Sequence, residues 1–346
     1  MEIFMKNTKI PTRYEIDNFE PYNEISNGQC FYRALFSVLN HFNVDIMNLL
    51  CNNVYFYRPI HSLENGGFDY WGLNEAPGMS YRELLAKSGV RMIERNNVKN
   101  VIPCIIDSVA NNRPVIIYID CYYEPIRPDM YMQTHMPHSI TIYGYDMDTE
   151  EFLIIEHDYA NGWNYKKRTL GFDDTERCYR GYVDDGRQEY DSYFEFCNDI
   201  EADHTWDYKY IFKKNYVSRI DYISKGINGF EEFILKDYFN KRPEIENEGD
   251  AFTYIYNSTH KILRNQKVRN YSISAVFEED QIIKELINNI TNDWSLTLSL
   301  INKFRLSAPE RRNFSFDKCG DNLKNILNNE KEIHERILCK CGKNGQ

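Results

Sequence analysis

Cys30 stands at the head of an apolar stripe, and the residues before it read as a helix start. Ser26 or Asn27 can serve as N-cap, and Ser26 with Gln29 fits the capping-box spacing. Phe31, Leu35, Val38, Leu39 and Phe42 then recur at helical spacing. Cys30 therefore belongs in the first helical turn, where the positive end of the helix dipole lowers a thiol pKa. The resulting thiolate is the form that attacks carbon. A free cysteine alone is as well explained by a buried inert thiol, so the assignment needs a partner.

The partner is predicted on a hairpin. The runs His138 to Tyr145 and Glu151 to Asp158 flank the turn Asp146-Met147-Asp148-Thr149-Glu150. Symmetric pairing about Asp148 sets His138 opposite Asp158 on one sheet face, with Cβ atoms about 4.5 to 5.5 Å apart. A carboxylate at that distance holds an imidazole in one tautomer. Ile140, Ile142, Phe152 and Ile154 share the face, which places the polar pair at the open end of the hairpin. A first-turn cysteine, a histidine base and an orienting aspartate are what an activated nucleophile requires. The alternative is a cross-strand pair with a structural role only.

Several elements must position this trio. Ser80 and Glu83 mark a capping box ahead of Leu84 and Leu85, and a third helix covers about Val98 to Ala110. Strands are expected over Val115 to Cys121, over the two hairpin runs, and over Tyr208 to Phe212. The segment Tyr159 to Trp206 is polar and tyrosine-rich and reads as a lid or loop-rich insertion. Beyond about Tyr216 the periodicity is helical: Ile283, Leu286, Ile287, Ile290, Trp294, Leu298, Ile301 and Phe304 keep one face apolar. The expectation is an α+β domain over 1–215 with an antiparallel sheet, followed by an all-α C-terminal domain over 216–346.

Bulk composition narrows the class. With 346 residues, 42% hydrophobic and 15% aromatic, the chain has ample material for a core and is not of disordered type. The net charge of -11 disfavours nucleic acid as a partner. No apolar run reaches membrane-spanning length, so no membrane partner is expected. The first twenty residues carry charges and lack the apolar core of a secretory signal. Nine cysteines at irregular spacing read as reduced thiols of a cytoplasmic protein. No Gly-rich phosphate loop precedes a helix, so ATP and NAD are not expected.

The order of Cys, His opening a strand that ends Gly-Tyr-Asp, and Asp ending the next strand resembles papain-like cysteine peptidases. More narrowly, GQCFYRALFSVLNHF (Gly28 to Phe42), RPVIIYIDCYYEPI (Arg113 to Ile126) and HMPHSITIYGYD (His135 to Asp146) resemble the N-terminal domain of the butirosin-biosynthesis acyltransferase (BtrH-like) family. HKILRNQKVRNY (His260 to Tyr271) and NDWSLTLSL (Asn292 to Leu300) resemble the C-terminal region that accompanies it. The resemblance implies a papain-like fold and acyl transfer from a carrier protein's phosphopantetheine thioester, through a Cys30 acyl-enzyme, to a small-molecule amine in antibiotic assembly. Within this group the chain is similar to amide synthetases of closthioamide-type polythioamide assembly, which use a diamine. No cofactor is implied beyond the carrier's phosphopantetheine. A peptidase or thioesterase, and a non-catalytic carrier-binding assembly factor, are the alternatives.

One position departs from the peptidase pattern. The oxyanion-hole Gln expected six residues before the cysteine is Glu24, whose carboxylate would repel an oxyanion. The hole must then use the Cys30 backbone N–H with Gln29, Asn27 or Asn23. Tyr122, Tyr123 and His135 are candidates for substrate contact, or for plain packing. Lys261, Arg264, Lys267 and Arg269 form a basic stretch that is either a dock for an acidic carrier protein or a solvated helix face. Cys319, His334, Cys339 and Cys341 do not match a common zinc spacing, so no metal is expected.

Overall fold

In the computed structural model, which describes residues 10–25, 29–61, 69–159, 164–198, 207–234, 248–306 and 315–342, the stripe behind Cys30 is helix α1 (Cys30–His41). Gln29 is its N-cap, in extended conformation, and residues 32 to 39 are buried along it. The chain divides into two units, one of Met1–Ile46 with Tyr81–Thr205 and one of Met47–Ser80 with Trp206–Gln346. This differs from a single cut at 216. The stretch Met47–Ser80 groups with the helices because its hairpin packs on them.

The first unit is built on a seven-stranded antiparallel sheet. Its order is β4 (Val90–Asn96), β9 (Asp191–Asn198), β5 (Val115–Asp120), β6 (Pro137–Asp146), β7 (Glu151–His157) and β8 (Tyr165–Gly171), with β1 (Arg13–Glu15) also paired to β6. Helix α1 packs on β6, where the buried Thr141 hydroxyl donates to the Ala34 carbonyl at 3.1 Å. The sheet is flanked by α3 (Tyr81–Lys87), α4 (Val101–Ala110) and α5 (Phe172–Asp184), the last packed on β5.

The segment read as a lid is largely regular: it supplies β8, α5 and β9. Strand β9 sits between β4 and β5, with Tyr193, Phe194 and Phe196 buried, so it is core. Its aromatic residues carry the strand signal, which the polar residues around them obscure. Glu195, 1% exposed, is held there between Arg95 at 2.5 Å and Arg113 at 3.1 Å.

The second unit pairs β2 (Asn53–His61) with β3 (Asp69–Pro77), preceded by α2 (Ile46–Asn52). Helices α6 (Tyr208–Ser218), α7 (Ile220–Glu232), α8 (Glu248–Val276), α9 (Gln281–Leu306) and α10 (Ser315–Gly342) complete it, with α7 on β2 and α8 on β3. The expected strand Tyr208 to Phe212 is therefore a helix. Asp207 caps it by accepting the Lys209 N–H at 3.0 Å, and Ile211, Phe212, Asn215 and Tyr216 are buried at helical spacing. Its β-prone residues lose to that burial pattern. The architecture is thus mixed α/β with an antiparallel sheet and C-terminal helices. Among the described residues, no helix is long and apolar enough to cross a membrane.

Thr141→Val removes the bond that ties α1 to β6 while keeping the volume. It should lower the unfolding free energy by about 1 kcal/mol, read from urea denaturation followed by circular dichroism.

Candidate active site

Cys30 is the first residue of α1, so its own N–H lies outside the helical ladder and points from the positive end of the dipole. The Cys30 thiol interacts with His138 near the start of β6, and the buried Ser139 and the Phe31 N–H lie beside the sulfur. The His138 Nε2–H donates to Glu156 on β7, at 2.9 Å to Oε1 and 3.1 Å to Oε2. With Nε2 spent on the carboxylate, Nδ1 is the nitrogen left for the thiol. Glu156 in turn accepts from Arg127 Nη1 at 3.2 Å, and Arg127 grips Asp129 with Nε and Nη2 at 2.9 and 2.8 Å.

His138 is 5% exposed and Glu156 0%, so neither can rely on water for its charge. Burial pushes the Cys30 thiol up, but the bond and charge of His138, then Ser139 and the Phe31 N–H, outweigh it and bring the thiol below its ordinary value. Burial pushes His138 down, and the charge of Glu156 with the bond to Cys30 lifts it well above its ordinary value. Burial raises Glu156, and His138 and Arg127 more than reverse that. All three directions favour a thiolate–imidazolium pair at neutral pH. The arrangement sets a lowered thiol against a raised imidazole.

No family model matches the chain, and no curated protein matches it.

The sequence reading paired His138 with Asp158, and this is corrected to Glu156. The register at Thr141↔Ile155 and Ile142↔Ile154 is the expected one, because an irregularity between Ile142 and Gly144 absorbs a one-residue shift nearer the turn. The error lies in taking the directly opposed residue. Glu156 is on the same face as Asp158, one pleat closer to the core, and the ring reaches it diagonally. Asp158 instead pairs with Lys166 at 3.0 Å, and its N–H donates to the Asn164 carbonyl at 2.6 Å. The missed signal was a glutamate inside the apolar run FLIIE: a charge facing a core must have a partner.

Glu124, Arg127 and Asp129 also escaped the sequence reading. Glu124 is 0% exposed, among Cys121, Arg127, His138, Glu156 and Cys178. Burial and the charge of Glu156 push it up to about 8, so at neutral pH it holds its proton beside an ionised neighbour.

The oxyanion candidates separate. Asn23 spends its amide on Tyr165, donating to the carbonyl at 2.9 Å and accepting the N–H at 2.8 Å, so it clamps β8 and is not free for an oxyanion. Gln29 is exposed at the N-cap, with its carbonyl accepting the Arg33 N–H at 3.3 Å. Asn27, like Ser26, lies outside the described residues. Glu24 is exposed and accepts the Tyr22 hydroxyl at 3.2 Å. Phe31, Tyr118 and Tyr182 wall the sulfur: Tyr118 stacks on Phe31 at 5.7 Å and on Tyr182 at 5.1 Å, and both tyrosines feel the Cys30 charge.

Tyr122, Tyr123 and His135 come together beside the end of β5, with His135 stacked on Tyr122 at 4.1 Å. The basic stretch on α8 does not form one surface. Lys261 and Lys267 are exposed and Arg264 is half-buried near Glu75, whereas Arg269 is buried in a two-point ion pair with Glu330 at 2.8 Å. The Tyr57 hydroxyl and Gln266 amide complete that knot at 2.9 and 2.7 Å, so Arg269 is withdrawn as a docking residue. All nine cysteines are free thiols, and His334 spends both ring nitrogens, on Tyr216 at 2.8 Å and Ser224 at 2.9 Å. Among the described residues no group of three or more His, Cys, Asp or Glu is placed to hold a metal.

Iodoacetamide should alkylate Cys30 at neutral pH, with the rate falling only as pH drops through the lowered thiol value. His138→Ala removes the largest opposition to burial and should cut the rate at pH 7 at least about tenfold. Glu156→Gln should cut it too, and Asp158→Asn should leave it near the parent's. A loss with Asp158→Asn equal to that of Glu156→Gln would restore the first pairing.

Glu124 gives a stability signature. Its folded-state value lies above the ordinary 4.5, so the folded chain binds the extra proton and stability drops as pH rises from about 4.5 to about 8. Glu124→Gln should remove that part of the decline in urea titrations across this range.

Proposed function

We infer that the chain is a cysteine-dependent acyltransferase of papain-like build, which takes an acyl or peptidyl group from a carrier protein's phosphopantetheine thioester and passes it to an amine in antibiotic assembly. The observation that carries this reading is the run Cys30, His138, Glu156, with the sulfur in the first turn of α1. The resemblance of the segments Gly28 to Phe42, Arg113 to Ile126 and His135 to Asp146 supplies the substrate class.

The chemistry follows from that run. The Cys30 thiolate attacks the thioester carbonyl, and the Cys30 N–H at the helix start is the first donor for the oxyanion. The tetrahedral intermediate expels the pantetheine sulfur, which takes the proton held by His138. Exchange of one thioester for another is nearly balanced in energy. The acyl-enzyme then faces an amine, whose proton His138 accepts as nitrogen bonds to carbon, and the thiolate–imidazolium pair returns. Formation of the amide drives the second half. Glu156 orients and charges the imidazole throughout without moving protons itself.

Lys261 and Lys267, exposed on α8, are the residues of the basic stretch open to an acidic carrier protein. The carrier is a partner by proposal, and the unit that would receive it is the helical one.

Purified chain given a synthetic acyl-pantetheine thioester should acquire one acyl mass on Cys30, and added amine should convert it to amide faster than water converts it to acid. Cys30→Ala should abolish both steps. Free acid formed equally fast with and without amine would make it a hydrolase. A Cys30 that stays unacylated would leave the carrier-binding, non-catalytic reading.

A further inference from the structure

A second imidazole–carboxylate pair lies close to the first and has no part in the chemistry above. Asp120 ends β5 with its side chain 4% exposed, and it accepts the Nδ1–H of His135 at 2.7 Å together with the N–H groups of Tyr122 and Met136, each at 3.0 Å. Burial raises Asp120, and these three donors bring it below the usual carboxylate range, so it is ionised. The His135 ring lies flat on Tyr122, 12° from parallel. Its orientation and tautomer are thereby fixed. The ring is 62% exposed, and nothing among the described residues bonds its Nε2.

His135 lines an open groove of about 600 Å³ with Tyr123, Arg177, Arg180, Asp184 and Asp185. The cations there are engaged. Arg177 pairs with Asp174, and Arg180 donates to Asn97 at 3.1 Å and to the carbonyls of Val98 and Lys99 at 2.7 and 2.5 Å. Asp185 pairs with Arg187 at 2.7 Å, while Asp184 is exposed with no ion pair among the described residues. In its neutral form the ring, with Nδ1–H on Asp120, turns an Nε2 lone pair to the groove beside the Asp184 carboxylate, and an anion would meet both. A protonated amine meets complements to both.

A chain of contacts runs from the groove wall towards the thiol through Tyr182 and Tyr118. Tyr118 and Asp120 are two residues apart on one face of β5, roughly 7 Å along the strand. Tyr118 adjoins Cys30, and its stacking partner Tyr182 follows Gly181 in the groove wall. Gly181 packs so tightly on Tyr123 that a Cβ there would lie 2.3 Å from the ring, which keeps α5 against the dyad.

An alkylammonium must lose two protons to become an amide nitrogen, and His138 can hold only one of them. We propose that the His135–Asp120 pair is a second acid/base, seated where a primary alkylammonium acceptor enters, and that it removes the first proton before the amine attacks the Cys30 acyl group. The step balances: ammonium plus acyl-Cys30 gives amide, thiolate, and one proton on each of His135 and His138. This rests on the acyltransferase reading. The charged and titratable groups facing His135 are Asp120, Tyr122 and Tyr123 on its own side, Arg177, Arg180 and Asp184 from α5, and Asp185 at its C-cap.

The test is discharge of the Cys30 acyl-enzyme at pH 7 by butylamine, an ammonium ion at that pH, and by hydroxylamine, which is neutral. His135→Gln and Asp120→Asn should slow the butylamine reaction about 100-fold, with the deficit shrinking at pH 9, and affect hydroxylamine little. Equal slowing towards both nucleophiles, or none towards either, overturns the proposal. A second measurement needs no acylation: in Cys30→Ala chain labelled at histidine, butylammonium should shift the His135 ring resonance, assigned through His135→Gln. A shift in a chain whose parent never acylates keeps the amine site and sinks the transferase reading. A parent that acylates but shows neither the shift nor the selective deficit sinks the amine site alone.

Discussion

The Glu156 carboxylate, fully buried between the His138 imidazole and the Arg127 guanidinium, is the constraint from which the site follows. Moving one carboxylate out of water costs several kcal/mol unless charge and hydrogen bonds replace the solvent. Here the replacement is a line of alternating sign, from the Cys30 sulfur through His138, Glu156 and Arg127 to Asp129. Each charge is tolerable because its neighbours are opposite. Only the two ends approach solvent, which is where a reacting group and a screening carboxylate belong.

Glu124 adds an asymmetry to that line. Two buried carboxyls close together disfavour each other's ionisation, and Glu156, bonded to the imidazole, is the one favoured to keep the charge. The proton on Glu124 therefore protects the negative charge on Glu156 from competition for Arg127. Local burial thus sets which of two chemically alike side chains acts as the electrostatic partner.

Much of this was legible in the chain, and the failures have physical causes. Helix α1, with Cys30 in its first turn, follows from local periodicity and needs no distant information. The strand bearing His138 and its register with β7 at Thr141 and Ile142 also emerge, because the hairpin is local, whereas the irregularity after Ile142 does not. The carboxylate was misassigned since strand pairing gives rows of residues, whereas a long side chain reaches diagonally, as Glu156 does. Strand β9 was missed because it is defined by partners far away in sequence, on β4 and β5. Arg269 looked like a surface charge because only the fold brings it to Glu330. Tyr208 to Phe212 misled by composition: aromatic residues spaced two apart suit a strand until burial chooses a helix.

The placement of the β2–β3 hairpin has a consequence for how the polypeptide is assembled. The first unit is interrupted by thirty-four residues, Met47–Ser80, that complete the second. The helix carrying the sulfur is thus made on the ribosome well before β6 and β7 emerge, and neither unit can close until the other's segment has been synthesised. Truncation at either unit's edge would leave an unpaired two-stranded ribbon, or a helical bundle without its sheet. The helix bearing Cys30 and the helices after residue 206 are therefore interleaved along the chain, and neither unit can be exchanged by simple end-to-end fusion.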